Sequence, residues 1–154
     1  MSRLVRLEWM WFAASLLICA LIILLIYDKM GSSYRFYYSN ITSILLMLNL
    51  TRYIFLFKYT PFARVNWYKF LWIFLPIPLL MWTIDGMIEF QGFLQEEGTF
   101  ALVKDADSNV SSFWSQFVRS QYIFFGIGAI ATLCLVPIRM IISFWRTTNT
   151  VDKV

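Results

Sequence analysis

Apolar residues in this chain fall into four long runs separated by three polar stretches. Trp9 to Tyr27 carries no charge over nineteen residues, which at about 1.5 Å rise per residue matches the hydrocarbon thickness of a bilayer. No small-x-small cleavage site follows before Asp28, so the run reads as an uncleaved helix rather than a signal peptide. Asp28 to Tyr34, with Gly31 and two serines as breakers, is short enough only for a tight turn to an antiparallel neighbour. The second run extends from Tyr37 to Phe57, and Tyr27, Tyr34, Tyr37 and Tyr38 gather around the turn as an interfacial aromatic belt does. A third run covers Phe70 to Ile88, where Pro76 and Pro78 remove two backbone donors and predict a kink in the first half. The fourth covers Gln121 to Trp145 and is interrupted by Pro137 and Arg139. The pattern predicts an all-α integral membrane protein, a single up-down bundle of four transmembrane helices over residues 1–154, with spans at about 9–27, 37–57, 70–88 and 121–145.

The polar stretches set the expected threading. Lys58 to Lys69 is basic, aromatic and free of acids, whereas Glu89 to Arg119 holds five acids against Lys104 and Arg119. The second half of that outer loop, from about Ser111, has Phe113, Trp114 and Phe117 at helical spacing, which predicts a helix that lies on the membrane or extends the fourth span outward. Arg3, Arg6, Lys58, Arg64, Lys69, Arg146 and Lys153 lie on one side, against Lys29, Arg35, Lys104 and Arg119 on the other. By the positive-inside bias both termini are expected in the cytoplasm and the loop 89–119 outside, most simply in a bacterial inner membrane.

Composition agrees with this reading and narrows the chemistry. Hydrophobic residues make up 60% of the chain and charged residues 14%, against about a quarter charged in soluble domains, so no separate soluble domain is expected. Histidine is absent, which removes bis-histidine haem, Ser-His-Asp catalysis and most zinc sites. Cys19 and Cys134 sit inside apolar runs and read as packing residues. Asp105-Ala-Asp107-Ser-Asn109 opens like a calcium loop, but Val110 and Gln116 stand where glycine and glutamate are needed. Of three glycosylation triplets only Asn109 lies clear of a run. No metal and no cofactor is expected, catalysis has no nucleophile with an adjacent base, and the net charge of +4 is accounted for by the inner loops, not by nucleic acid.

The second run is the anomalous one, because Arg52 lies in it, and a charge at bilayer depth costs about 2.5 kcal/mol or more. Arg139 falls at nearly the same depth in the fourth run. Either arginine reaches the inner headgroups, bonds to neighbouring helices, or faces a shared aqueous axis. Ser39, Thr42, Asn49 and Arg52 recur along one broad helical side as a candidate pore or interface seam, while Asn40 and Thr51 fall elsewhere. Gly126, Gly128, Ala129 and Thr132 supply a small-residue face for close helix packing. Lys58, Arg64 and Lys69 are candidates for contact with anionic lipid or a cytoplasmic protein. Asp85 is read as the one acid inside or bordering a span, with Glu89 a turn further on, and Arg35 or Arg119 as the expected partner. The expected function is non-enzymatic association in the lipid bilayer, as a homo-oligomer or as a subunit beside other membrane proteins. The alternative is an oligomeric pore or envelope sensor, as in a bacterial defence or stress system, with the inner arginines at a gate.

Overall fold

The computed structural model describes residues 3–60, 66–102 and 108–151, and these are helical almost throughout, with no strand among them. Five helices follow one another: α1 (Arg3–Met30), α2 (Tyr37–Leu56), α3 (Asn66–Phe74), α4 (Pro76–Glu96) and α5 (Ser108–Val151). Among the described residues three stretches are long and apolar enough to cross a membrane, Arg3–Met30, Trp67–Glu96 and Ser112–Arg146. Helix α2 is not among them. Ser39, Asn40, Thr42, Asn49, Thr51 and Arg52 dilute its apolar content, although its 20 residues give it about 30 Å of length.

The third run forms two helices. Pro76 has no N–H to continue the ladder and takes the first position of α4, where a proline is tolerated. The break is slight, since Leu75 keeps helical dihedrals and its N–H still bonds Leu71 at 2.9 Å. Of the two expectations for the segment after Ser111, continuity holds: it belongs to α5, which runs unbroken for 44 residues and keeps Pro137 inside it. Gly31 stands at φ +62 in the turn after α1, a conformation that costs glycine nothing.

Helix α5 is the central post, packed mainly against α2, α4 and α3, while α1 packs chiefly against α2. Cross-contacts give the directions. Ser39 meets Tyr122 and Ile54 meets Arg139, so α2 and α5 run parallel; Ser15 meets Asn49 and Arg52 meets Glu8, so α1 and α2 run antiparallel. Two buried clusters follow from this arrangement. One, around Ile26, Phe36, Phe90, Leu102, Val118 and Tyr122, closes the end bearing the α1–α2 turn; the other joins Leu50, Phe57, Leu133, Val136 and Met140 at the opposite end. Cys19 is buried in α1 and Cys134 is exposed on α5, both unbridged.

The small residues of α5 are used inside the chain. A Cβ on Gly126 would run into Met87 of α4, one on Gly128 into Met47 of α2, and one on Gly86 of α4 into the Ser39 hydroxyl. Methionine side chains swing aside more easily than a short hydroxyl that is already hydrogen-bonded. Gly86→Ala is therefore expected to destabilise by about 1–3 kcal/mol and Gly126→Ala by less than about 1 kcal/mol, read as thermal unfolding in non-ionic micelles. Equal losses would show that the α4–α5 contact at Met87 yields no more readily than the α4–α2 contact at Ser39.

Candidate functional site

Helix α1 presents Glu8, Trp11, Ser15 and Cys19 at intervals of three to four residues, so they share one face, and that face lies on α2. Arg52 of α2 is 7% exposed and its Nη2 stands 2.8 Å from Glu8 Oε2, itself on a side chain 19% exposed. The contact is an ion pair, and among the described residues no N–H is aligned on the buried Glu8 Oε2. The remaining guanidinium capacity goes to the Leu7 carbonyl at 3.5 Å and to the face of Trp11, 5.8 Å from ring centroid to the guanidinium carbon. Glu8 Oε1 accepts the Tyr53 hydroxyl at 2.9 Å, and Tyr68 of α3 donates in turn to Tyr53 at 3.5 Å.

This corrects the reading of Asp85 as the one acid in or beside a run. Helix α1 covers Arg3 to Glu8 as well as the apolar run from Trp9, so Glu8 falls inside it and takes the level of Arg52. One turn deeper the Asn49 amide donates to Ser15 Oγ at 3.2 Å and to the Leu45 carbonyl at 2.9 Å, and Trp11 Nε1 donates to the Leu48 carbonyl at 3.3 Å. Between α1, α2 and α3 an open cleft of about 410 Å³ remains, lined by Val5, Glu8, Trp9, Phe12, Asn49, Tyr53 and Tyr68.

Arg139 does not join this group. Its Nε donates to the Ile54 carbonyl at 3.1 Å, one of the last carbonyls of α2, where a cation also meets the negative end of the helix dipole. Arg52 and Arg139 thus hold opposite sides of the same stretch of α2.

The predicted seam separates in the same way. Asn49 and Arg52 turn to α1, Thr42 bonds back to the Tyr38 carbonyl at 2.8 Å, and Ser39 turns to α5. Asn40, left outside the seam, is fully buried and exchanges two hydrogen bonds with Gln121, at 3.1 and 2.8 Å. Beside it Tyr122 donates to the Gly86 carbonyl at 3.0 Å, pairs with Ser39 at 2.6 Å, and stacks on Phe90 with centroids 3.9 Å apart. Ala129 is buried, and the Thr132 hydroxyl donates to the Ala129 carbonyl at 2.9 Å.

At the far end Arg35 pairs with Glu89 at 2.6 Å, one of the pairings that the charge pattern leaves open. Both are largely exposed, and Arg35→Ala is expected to change stability by less than about 1 kcal/mol, measured alongside Glu89→Ala. Tyr34, in the α1–α2 turn, is buried with its hydroxyl unpaired among the described residues, and burial pushes its phenol upward. Lys69, expected at a surface open to lipid or a partner, is instead 1% exposed. Lys58 falls in a short 3-10 turn, Phe57–Tyr59, and Arg64, Asp105 and Asp107 lie outside the described residues.

Glu8, Ser15, Tyr53, Asn40, Gln121 and Tyr122 are the site residues that run-by-run reading passes over. A helical signal for the first pair exists in the sequence, since Glu8 and Ser15 stand two turns apart on the face that continues through Cys19 and Ile26. No family model, curated protein or solved structure matches the chain.

Proposed function

We propose that the chain is a multi-pass protein of the bacterial inner membrane that crosses the bilayer four times, keeps both termini in the cytoplasm, and works by association rather than catalysis. Its associates are further copies of itself or other subunits of a membrane complex. Support for the fourth crossing comes from α2, which lies antiparallel along α1 and whose polar groups are taken up by α1 and α5 instead of facing lipid. The excess of basic residues at the ends near Arg3, Lys58 and Arg146 supports the orientation.

The observation that carries association is the open side of the bundle. A closed four-helix bundle gives each helix two neighbours, whereas among the described residues α1 packs chiefly on α2, with a cleft of about 410 Å³ on its side toward α3. The polar seam and the small-residue face, by contrast, no longer argue for a partner, since both are consumed within the chain. Native mass measurement in mild detergent is expected to show a dimer, a higher oligomer or a retained subunit, and a lone monomer would overturn the reading. Single-cysteine labelling at positions 3 and 146 is expected to report the cytoplasmic side for both. The pore reading requires the arginines at a gate, yet Arg52 and Arg139 are engaged by Glu8 and Ile54. Unchanged flux in Arg52→Ala and Arg139→Ala would remove it.

A further inference from the structure

The cleft between α1, α2 and α3 has the chemistry of a ligand site and not merely of a packing gap. Its volume of about 410 Å³ lies within the range of small-molecule sites, roughly 300–1,000 Å³. Its lining is mostly apolar, with Trp9 and Phe12 from α1 and Tyr53 and Tyr68 from α2 and α3. Among the described residues the one charged lining residue is Glu8. Arg52 lies behind it and does not reach the lining, so what an occupant meets is a carboxylate flanked by four aromatic side chains.

Among the described residues Glu8 is not saturated by its neighbours. A carboxylate offers roughly four acceptor positions. One at Oε1 holds the Tyr53 hydroxyl and Oε2 is buried against Arg52, so the acceptor capacity open to an occupant is the rest of Oε1. Acceptor capacity beside aromatic faces suits a donor that is also a cation, because the rings present negative π-faces to it. An anionic head would meet the carboxylate, and a neutral chain would leave its free acceptor positions unused.

We propose that this cleft binds an amphiphile bearing a primary ammonium group, with its hydrocarbon chain along Trp9 and Phe12 and its N–H donors on Glu8. The inference rests on the open side of the bundle that also supports association. An ethanolamine lipid headgroup and a free long-chain amine offer the same chemistry.

The test uses the full chain in non-ionic micelles, titrated with an ω-bromoalkyl amine and with the carboxylic acid and alcohol of equal chain length, while tryptophan fluorescence reports quenching by the bromine. The amine is expected to quench saturably and at least about tenfold more tightly than the acid. Trp9→Phe should remove most of the saturable component. Glu8→Gln strands Arg52 and risks misfolding, so the double variant Glu8→Gln/Arg52→Gln is the main control, and it should bring the amine down to the level of the alcohol. Quenching by the acid equal to that by the amine, an unchanged double variant, or no saturable quenching at all would overturn the proposal.

Chain-brominated phosphatidylethanolamine and phosphatidylcholine in vesicles separate the sources. Preference for ethanolamine identifies a lipid headgroup, while equal quenching by the two lipids with the free amine still selective identifies a free amphiphile. A dimer by native mass without amine selectivity would sink this inference and leave association standing; a monomer with selective quenching would do the reverse.

Discussion

Glu8→Gln alone is expected to destabilise the protein by about 3–5 kcal/mol, and Glu8→Gln/Arg52→Gln together by markedly less. The reason lies in what each variant leaves behind. Arg52 is almost wholly enclosed, with a carboxylate, one carbonyl and one indole face around it. Removing the carboxylate charge keeps the guanidinium buried without compensation, whereas removing both charges leaves two amides of similar size that can bond to each other and to Tyr53. A double-mutant cycle on unfolding in non-ionic micelles measures the difference, and additive losses would show that the pair does not act as a unit. The reciprocal variant, Arg52→Gln, should cost less than Glu8→Gln, because Glu8 retains the Tyr53 hydroxyl and borders the open cleft.

The second large effect is expected at Tyr122. Truncation to alanine should cost about 3–5 kcal/mol, since the ring is 1% exposed, stacks on Phe90 and touches Phe36 edge-on. Tyr122→Phe should cost only about 0.5–1.5 kcal/mol. It keeps the stack and removes the hydroxyl that links Gly86 of α4 to Ser39 of α2. Thermal unfolding of the two variants side by side separates packing from hydrogen bonding. Similar losses in both would place the stabilisation in the hydroxyl and contradict the assignment to the ring.

How far the sequence reveals these arrangements depends on how many neighbours a helix has. Helix existence was legible throughout, because long apolar runs bounded by Gly31 and the charged stretches leave little else to form. The interruption at Pro76 was legible for the same local reason, as a missing donor is a property of one residue. The destinations of polar side chains were not. Helix α2 has α1 on one side and α5 on the other, so its polar residues serve two interfaces and resist description as one stripe. Ser39 and Arg52 look like members of a set on a helical projection, but Ser39 goes to Tyr122 and Arg52 to Glu8.

Glu8 was hidden by a boundary. Counted with the N-terminal segment it looks like a flanking charge, and only a helix that already covers Arg3 to Glu8 brings it opposite Arg52. Arg35 with Glu89 was legible in part, because the charge pattern set Asp85 and Glu89 at the height of Arg35 and Arg119 without choosing between them, and it is Arg35 and Glu89 that meet.

Helix α5 has a mechanical consequence. At 44 residues it is about 66 Å long, roughly twice the hydrocarbon thickness, and its early turns are held by Trp114 beneath Lys29 and by the turn Thr99–Leu102, whose Leu102 is buried. A tilt of about 10° imposed there would carry the far end through roughly 11 Å at this length. Pro137, two residues before the arginine that grips Ile54, is where such a lever would yield first, since the ladder there lacks one hydrogen bond.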